Sequence, residues 1–549
     1  MAVLKNRAKM STSTTGTGTI TLGSAESGYQ TFADAGVANG DVVRYVIEDG
    51  NNWEIGTGTY TSTGTTLSRT VSESSNSDAA INLSGSATVF IGATAEDIPA
   101  LYADNDVSAT APTASGNNSV AIGDDAQATS TNSIAIGSTY NGSGARATTG
   151  AGAVAIGGSR ATGAEAFAAN IGSNSSSGAQ GTSSIAMGFG ANANATEAVS
   201  IGKNTTASGS NAVAIGQGSQ ASGADAVAIG YESAATQSYS FAAAISGGLS
   251  YAGARASNSI AMGYRSTTNN LGSVAIGYTA SASGNYSIAL GDNARTGGTD
   301  AIALGKSRAD GTDSFAAAIT NNTSSYGATG ANSIAMGYQC KSSADSSSVA
   351  LGRLSIASAN YACAIGNGAT ASAANAFAFC DSATASGFRS VALGRSSTQG
   401  ISGKHSRGAY IFSSVGDAQE GKYVLLSDTT DATAEALTTT NGAASATNQV
   451  VLPNNSAYAF HGTIVARQQA ADGTACAAWK VEGLIRREGS ANTTVLVNSA
   501  TTVLDNTPSW GMALSADTTN GCLKIQVTGA ASTDIRWVAT IHTSEVTYA

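Results

Sequence analysis

The order of apolar and polar positions divides the chain into three stretches. From Asn118 to about Gly400 it is periodic: Ser119-Val-Ala-Ile-Gly123 returns as Ser133-Ile-Ala-Ile-Gly137. Variants start at Ser184, Ala198, Ala212, Ala226 and Ser240, then at Ser259, Ser273, Ser287 and Ala301. A last run starts at Ser348, Ala362, Ala376 and Ser390, and every step inside these runs is 14. This period is too short for a helix pair, whereas alternating Ala and Ile closed by Gly suits a strand of about five residues and a tight turn. A second alternating segment follows each Gly, as in Ala126-Gln-Ala128, Ala191-Asn-Ala193 and Ala280-Ser-Ala282. Each repeat reads strand, turn, strand, turn, one flat coil of a β-solenoid.

Side chains alternate along a strand, so Val120 and Ile122 are expected to fill one face. Ala121, on the other face, permits close approach of a neighbouring surface. Two large aliphatics per coil supply about 2 kcal/mol each on burial, while ordering costs roughly 1–2 kcal/mol per residue. A single thin roll is marginal on these terms, and three rolls packed about an axis are the expected remedy. From Ser119 to Ser390 the sequence holds 19 coil starts, which at a strand spacing of about 4.8 Å makes a roll on the order of 90 Å long.

Ser-Val-Ala-Ile-Gly followed by Ala-x-Ala at period 14 resembles the head repeat of trimeric autotransporter adhesins. That resemblance covers about half the chain and implies a left-handed parallel β-roll, three chains wide. Phe167, Phe241 and Phe315 stand where Val or Ile is usual, at an even step of 74, each opening Phe-Ala-Ala ahead of a longer Gly/Ser/Asn-rich stretch such as Ser173–Gly181. Each stretch leads into Ser-Ile-Ala-Met-Gly, at Met187, Met262 and Met336. A block of about five coils is therefore tripled, each copy with one enlarged turn. Two roles are open for these places: Phe fills space beneath an extended loop, or the loops make lateral contacts.

The ends alternate differently. Val42–Ile47, Trp53–Ile55, Thr65–Val71 and Ala87–Ile91 read as strands of a small β-barrel or sandwich. Asn6-Arg-Ala-Lys9, Val42-Val43 and Ile55-Gly-Thr-Gly-Thr-Tyr60 resemble N-terminal modules of tail fibre proteins of tailed bacteriophages. In such fibres the module joins the virion. Beyond Lys404 longer strands are expected at Ala457–Val465, Ala478–Ile485, Leu523–Val527 and Ile535–Ile541, in a jelly-roll-like β-sandwich that also resembles phage fibre tips. The reading is an all-β fibre with four parts. Residues 1–97 are a virion-attachment domain, 98–117 a linker containing Pro99 and Pro112, 118–403 a β-roll shaft and 404–549 a receptor-binding sandwich.

Composition narrows the function. Gly at 66 residues, Pro at 4 and only 11% charged residues fit neither disorder nor collagen. A net charge of −10 without a Lys/Arg run disfavours nucleic acid. The basic start has no apolar region behind it, and no 18-residue apolar run occurs, so neither a cleaved signal nor membrane insertion is expected. Five Cys without CxxC spacing read as free thiols, those of the repeats serving as packing residues, and no metal or cofactor is expected. Among the ends, Trp479 and Trp537 alternate with polar residues and belong to a core, while Trp510, after Pro508-Ser509, is the candidate for exposure. Trp510 could stack on sugars, and Arg486 and Arg487 could hold carboxylates or phosphates. His461 and His542 have no Cys or Ser partner at a recognised spacing.

These observations favour a non-enzymatic, homotrimeric tail fibre on a virion, made in the host cytoplasm. Its residues 1–97 would dock on tail or baseplate proteins, and its tip would bind bacterial surface polysaccharide or an outer-membrane protein. A bacterial trimeric surface adhesin is the alternative. It would require a signal peptide and a C-terminal barrel behind a coiled coil, which Thr543–Ala549 and the absence of heptads do not supply. An ice-binding solenoid would need Thr-x-Thr at a fixed place in each coil. A depolymerase would need paired carboxylates, which do not recur in the repeats.

Overall fold

The computed structural model of the chain describes residues 2–94, 110–139, 144–172, 177–243, 252–320, 325–344, 346–398, 400–470, 475–506 and 508–548. Residues 98–109 of the expected linker, and 173–176 of the enlarged stretch at 173–181, lie outside them. Two units form, residues 1–112 with 122–124, and the remainder.

The first unit is a curled antiparallel sheet. Lys9–Thr12 pairs with Ala87–Ile91, followed in order by Val42–Asp49, Asn52–Thr61, Thr66–Leu67 and Ile20–Thr21, with Thr70–Ser74 also on Asn52–Thr61. Alternation buries Val43, Tyr45 and Ile47 against Phe32, Leu67 and Val89. The strand expected over 65–71 is broken at Ser68-Arg69, because Arg69 turns inward. Its guanidinium donates to Glu54, which also accepts from the Tyr45 hydroxyl at 2.8 Å and the Ile81 amide at 2.8 Å. Several donors converging in one place are what a buried carboxylate needs.

In the second unit, a β-solenoid of about 20 turns spans residues 113–408, with a period of about 14. First strands such as Val213–Ile215 stack in parallel on Val227–Ile229, and second strands such as Thr206–Ala207 on Gln220–Ala221, each register step being 14. Nineteen second strands make one sheet. The first strands make the other, which runs on into the C-terminal region.

The alternation left open which face looks inward, and the structure decides it. Ala, not Val or Ile, lies inside: Ala214, Ala228, Ala275 and Ala303 are fully buried, and so are Ala221, Ala235 and Ala282 of the second strands. The surface that approaches each small face is the other strand of the same coil. A roll this thin has room only for Ala, Ser, Thr or Cys between its sheets. Buried hydroxyls are satisfied by turn carbonyls three residues back: Ser133 donates to Ser130 at 2.7 Å, Ser259 to Ala256 at 2.6 Å and Ser333 to Gly330 at 2.6 Å.

The Gly that ends each pentapeptide has a separate cause. Gly216 sits at φ +115°, and a Cβ there would lie 2.5 Å from the Gly230 carbonyl of the next coil. Both the backbone conformation and the stacking distance demand Gly. Cys380 occupies this place in its coil at φ +82° and is exposed, so it is not the half-buried packing residue expected. Cys340 is one, and burial pushes its thiol up to about 12.

Enlarged coils keep the register: Phe167 pairs with Ile185 and Phe241 with Ile260. Phe167 lies half-buried in the outward row between Val154 and Ile185, and the loop expected over it includes residues 173–176, outside those described. Ile171 and Ile319, four residues after their Phe, are the fully buried side chains at these places.

The C-terminal region forms sandwich-like sheets. One continues the solenoid through His405–Gly408, Ala418–Thr429, Ile535–Thr547, Ser456–Gln468, Cys476–Arg487 and Val495–Asp505, antiparallel after the first of these. The other pairs Cys522–Thr528 with Ala434–Ala436, Val450–Val451 and Gly511–Asp517. Between them lie Tyr423, Tyr458, Phe460, Trp479, Ile525 and Trp537. No helix among the described residues is long and apolar enough to cross a membrane.

Candidate functional site

Inward Ala puts the bulky residues of the first strands on the outside. Ile136, Ile156, Ile229 and Leu393 remain 39%, 40%, 40% and 40% exposed. They recur at each coil on one face of a single sheet, so their side chains form a continuous apolar stripe. Exposed Phe189, Tyr231, Tyr264, Tyr278 and Tyr338, two residues beyond the second aliphatic, widen it, and the Tyr264 and Tyr278 rings stack at 5.1 Å. A stripe this long far exceeds the apolar patches that isolated soluble chains leave to water. The opposite sheet turns polar groups to solvent instead, such as Gln127, Arg146, Asn192, Thr206 and Gln220.

The stripe changes chemistry at its C-terminal end. Lys404-His-Ser-Arg-Gly408 stands one period after Ser390-Val-Ala-Leu-Gly394, and Val391 pairs with His405, Leu393 with Arg407 and Gly394 with Gly408. This is one further copy of the pentapeptide, so the periodicity extends past the expected stop near Lys404. Its Ser and Gly spacing was the signal. In this copy the outward Val and Ile positions hold His405 and Arg407, and the inward Ser position holds Lys404.

Lys404 cannot be solvated there, and its partner comes from the far end of the chain. Its Nζ donates to Glu545 Oε2 at 2.6 Å, with both side chains at most 1% exposed. Glu545 also accepts from Gln419 at 2.7 Å, Thr543 at 2.6 Å and the Tyr423 hydroxyl at 3.3 Å. The ammonium lies 5.7 Å from the ring centres of both Tyr423 and Tyr458. Burial lowers the lysine pKa, and Glu545 opposes that shift. Burial, with the Glu545 charge adding to it, raises both tyrosines well above their usual range. This hub fastens the last coil to the sandwich.

On the outer side of the same strands, three cross-strand pairings place His405 beside Lys422, Lys422 beside His542 and His542 beside His461. All three histidines of the chain thus fall in one row across four adjacent strands. They line a cavity of about 280 Å³ together with Arg407 and Glu420. Neither His461 nor His542 carries a spacing that sequence reading recognises, since the row exists only through strand pairing.

The residues singled out from sequence fare differently. Trp510 is only 6% exposed and packs at 5.8 Å on Trp537, which stacks on Trp479 at the same distance, so the expected exposure is corrected. Its amide and carbonyl are held by the Asn506 side chain at 2.9 and 2.8 Å, which turns the ring into the core. Arg486 is exposed and pairs with Glu488, while Arg487 donates to the Leu452 carbonyl at 2.7 Å and is half-buried. These two line a shallow depression with Tyr548, apart from Trp510.

The YadA head domain repeat family matches eight segments: residues 114–139, 179–205, 207–233, 221–242, 254–280, 282–307, 328–355 and 346–368. The matched segments all lie within the solenoid, whose coils there are similar to YadA head repeats. Neither end is matched by that family, and no curated protein matches the chain.

Proposed function

We propose that the protein is a homotrimeric attachment fibre in which the solenoid is the shaft and the C-terminal sheets carry the surface-binding end. The observation that carries this reading is the outward aliphatic stripe over an interior of mostly small side chains. Covering one two-fifths exposed Ile removes roughly 60 Å² from water, about 1.5 kcal/mol. One such position per coil over the whole roll already reaches tens of kcal/mol, more than the roughly 4–15 kcal/mol that association costs. Two further copies are the occupants whose stripes match it coil for coil, and three-fold closure covers the aliphatic rows up to Leu393, where the rows turn to His405 and Arg407. Light scattering on the purified chain should give three times the monomer mass. Ile215→Lys with Ile229→Lys, both outward, should lower it toward one chain without loss of β-structure, and a monomeric parent chain would overturn the proposal.

The finer reading is a phage tail fibre, with residues 1–97 on tail or baseplate proteins and a receptor in the bacterial polysaccharide or an outer-membrane protein. It rests on the resemblance of the N-terminal strands to fibre modules. The YadA head repeats favour the second reading, a bacterial surface adhesin. Neither reading calls for an enzyme or a cofactor. Immunogold labelling with antibody to the purified chain separates the two: gold on tailed virions supports the fibre, and gold on uninfected cells supports the adhesin.

A further inference from the structure

The cavity of about 280 Å³ at the end of the stripe holds more uncompensated positive charge than its surroundings explain. The chain as a whole is acidic, at net −10. Around the cavity, Arg407 and Glu420 offset each other at 4.0 Å, and on the next strand Lys480 and Glu482 do so at 3.7 Å. Lys404 and Glu545 cancel behind the sheet. Lys422 is left with no acidic group at ion-pair distance among the described residues, and its two cross-strand neighbours are His405 and His542. His461 follows, its other neighbour being Glu482.

Two ligand classes could use such a row. A metal ion fits poorly: the His461 and His542 rings stack at 5.4 Å with 12° between planes, so their in-plane lone pairs do not converge. Lys422 also separates His405 from His542 in the row. Among the described residues no group of three or more ligands could hold a metal. An anion fits well. Lys422 supplies a fixed charge, the imidazoles supply N–H donors, and the exposed Ser544 hydroxyl borders the cavity. The volume lies near the lower end of ligand sites, about 300–1,000 Å³, which suits one charged sugar rather than a long chain.

We infer that this cavity binds a phosphate or carboxylate group borne by a surface glycan, and that it binds more tightly as the pH falls. Like charges directly opposite on paired strands repel. Each imidazole that takes up a proton adds a cation to the row, which an anion relieves. Linkage then requires that the anion in turn raise imidazole protonation. Only the choice of a glycan as the source rests on the attachment reading; the anion site does not.

Calorimetric titration of the intact protein with glucose 6-phosphate, and separately with a galacturonate oligomer, tests this and tells the phosphate source from the carboxylate. One site per chain should tighten by about tenfold between about pH 7.5 and pH 5.5. Lys422→Gln should weaken it at least tenfold at both pH values. His405→Gln with His542→Gln should abolish the pH dependence while leaving binding near the high-pH level. All three side chains are exposed, so the fold is retained, and Arg486→Gln is the control expected to change nothing. Titrations that Lys422→Gln leaves unchanged, or that show no dependence on pH, would overturn the site. If Lys422→Gln abolished titration yet the fibre still attached to cells as the parent does, the glycan assignment would fall while the attachment reading stood.

Discussion

The solenoid and the C-terminal sheets share one continuous sheet and solve the burial problem in opposite ways. In the solenoid the inward positions are small, Ile171 and Ile319 of the enlarged coils excepted, so the regular coils are interchangeable and most large apolar groups lie outside, on the stripe. In the C-terminal region the inward positions are Trp, Tyr, Phe and Ile, and no position repeats. The first arrangement leaves much of its stabilisation to be made between chains. The second makes it within one chain, at the cost of tolerating a buried charge at the seam. The lesson is that a repeat with a thin interior is a surface-building device, whereas a sandwich with a thick interior is a self-sufficient block.

Breaking the buried pair should show the largest effect. Glu545→Gln leaves Lys404 charged and enclosed, and removing one partner of such a pair costs about 3–5 kcal/mol. Denaturant unfolding followed by tryptophan emission, which reports Trp479, Trp510 and Trp537 together with Trp53 of the N-terminal unit, should show it in the C-terminal transition. A loss below about 1 kcal/mol, the worth of a surface pair, would mean that the seam is hydrated.

Alkaline pH sharpens the same contrast. Tyr423 and Tyr458 are raised in the folded state, so their stabilising contribution is complete below the unfolded value of about 10 and is lost as pH rises through the folded values. Lys404, lowered by burial, contributes in the opposite direction, as one group against two. The C-terminal sheets should therefore unfold at alkaline pH together with the appearance of tyrosinate absorbance. Tyr458→Phe should move that transition upward in pH.

In the solenoid the corresponding change is an addition. Ala228→Leu forces three extra carbons into a fully enclosed gap between the sheets, and overpacking typically costs about 1–3 kcal/mol. Hydrogen exchange should rise in the coils around residue 228 and not beyond Lys404. The smallest effect is expected for Ser333→Ala, which removes the hydroxyl bonded to the Gly330 carbonyl but also the donor that needed satisfying, for about 1 kcal/mol. A larger loss would show that these hydroxyls order the turns rather than fill space.

The tripled block, the coil count and the Gly at each turn were legible because they depend on residues near one another in sequence. The twentieth pentapeptide at Lys404–Gly408 was legible only as a spacing, since its Lys, His and Arg disguise the pattern. Trp510 was misread because its direction is set by Asn506 and by stacking on Trp537, a partner from another strand. The histidine row left no trace, because His405, His461 and His542 are far apart along the chain and meet only through strand pairing.

What the sequence determined by itself was the coil: alternation, turn residues and a period of 14 specify strand, turn and stack, because each contact repeats at the same short separation. Which face of the strand looks inward was decided only in three dimensions. Alternation fixes that Val and Ile point opposite to Ala, and the gap between two strands of one coil then admits only the small side chains. The same holds at the seam, where Lys404 meets Glu545 across 141 residues because two sheets close on them together.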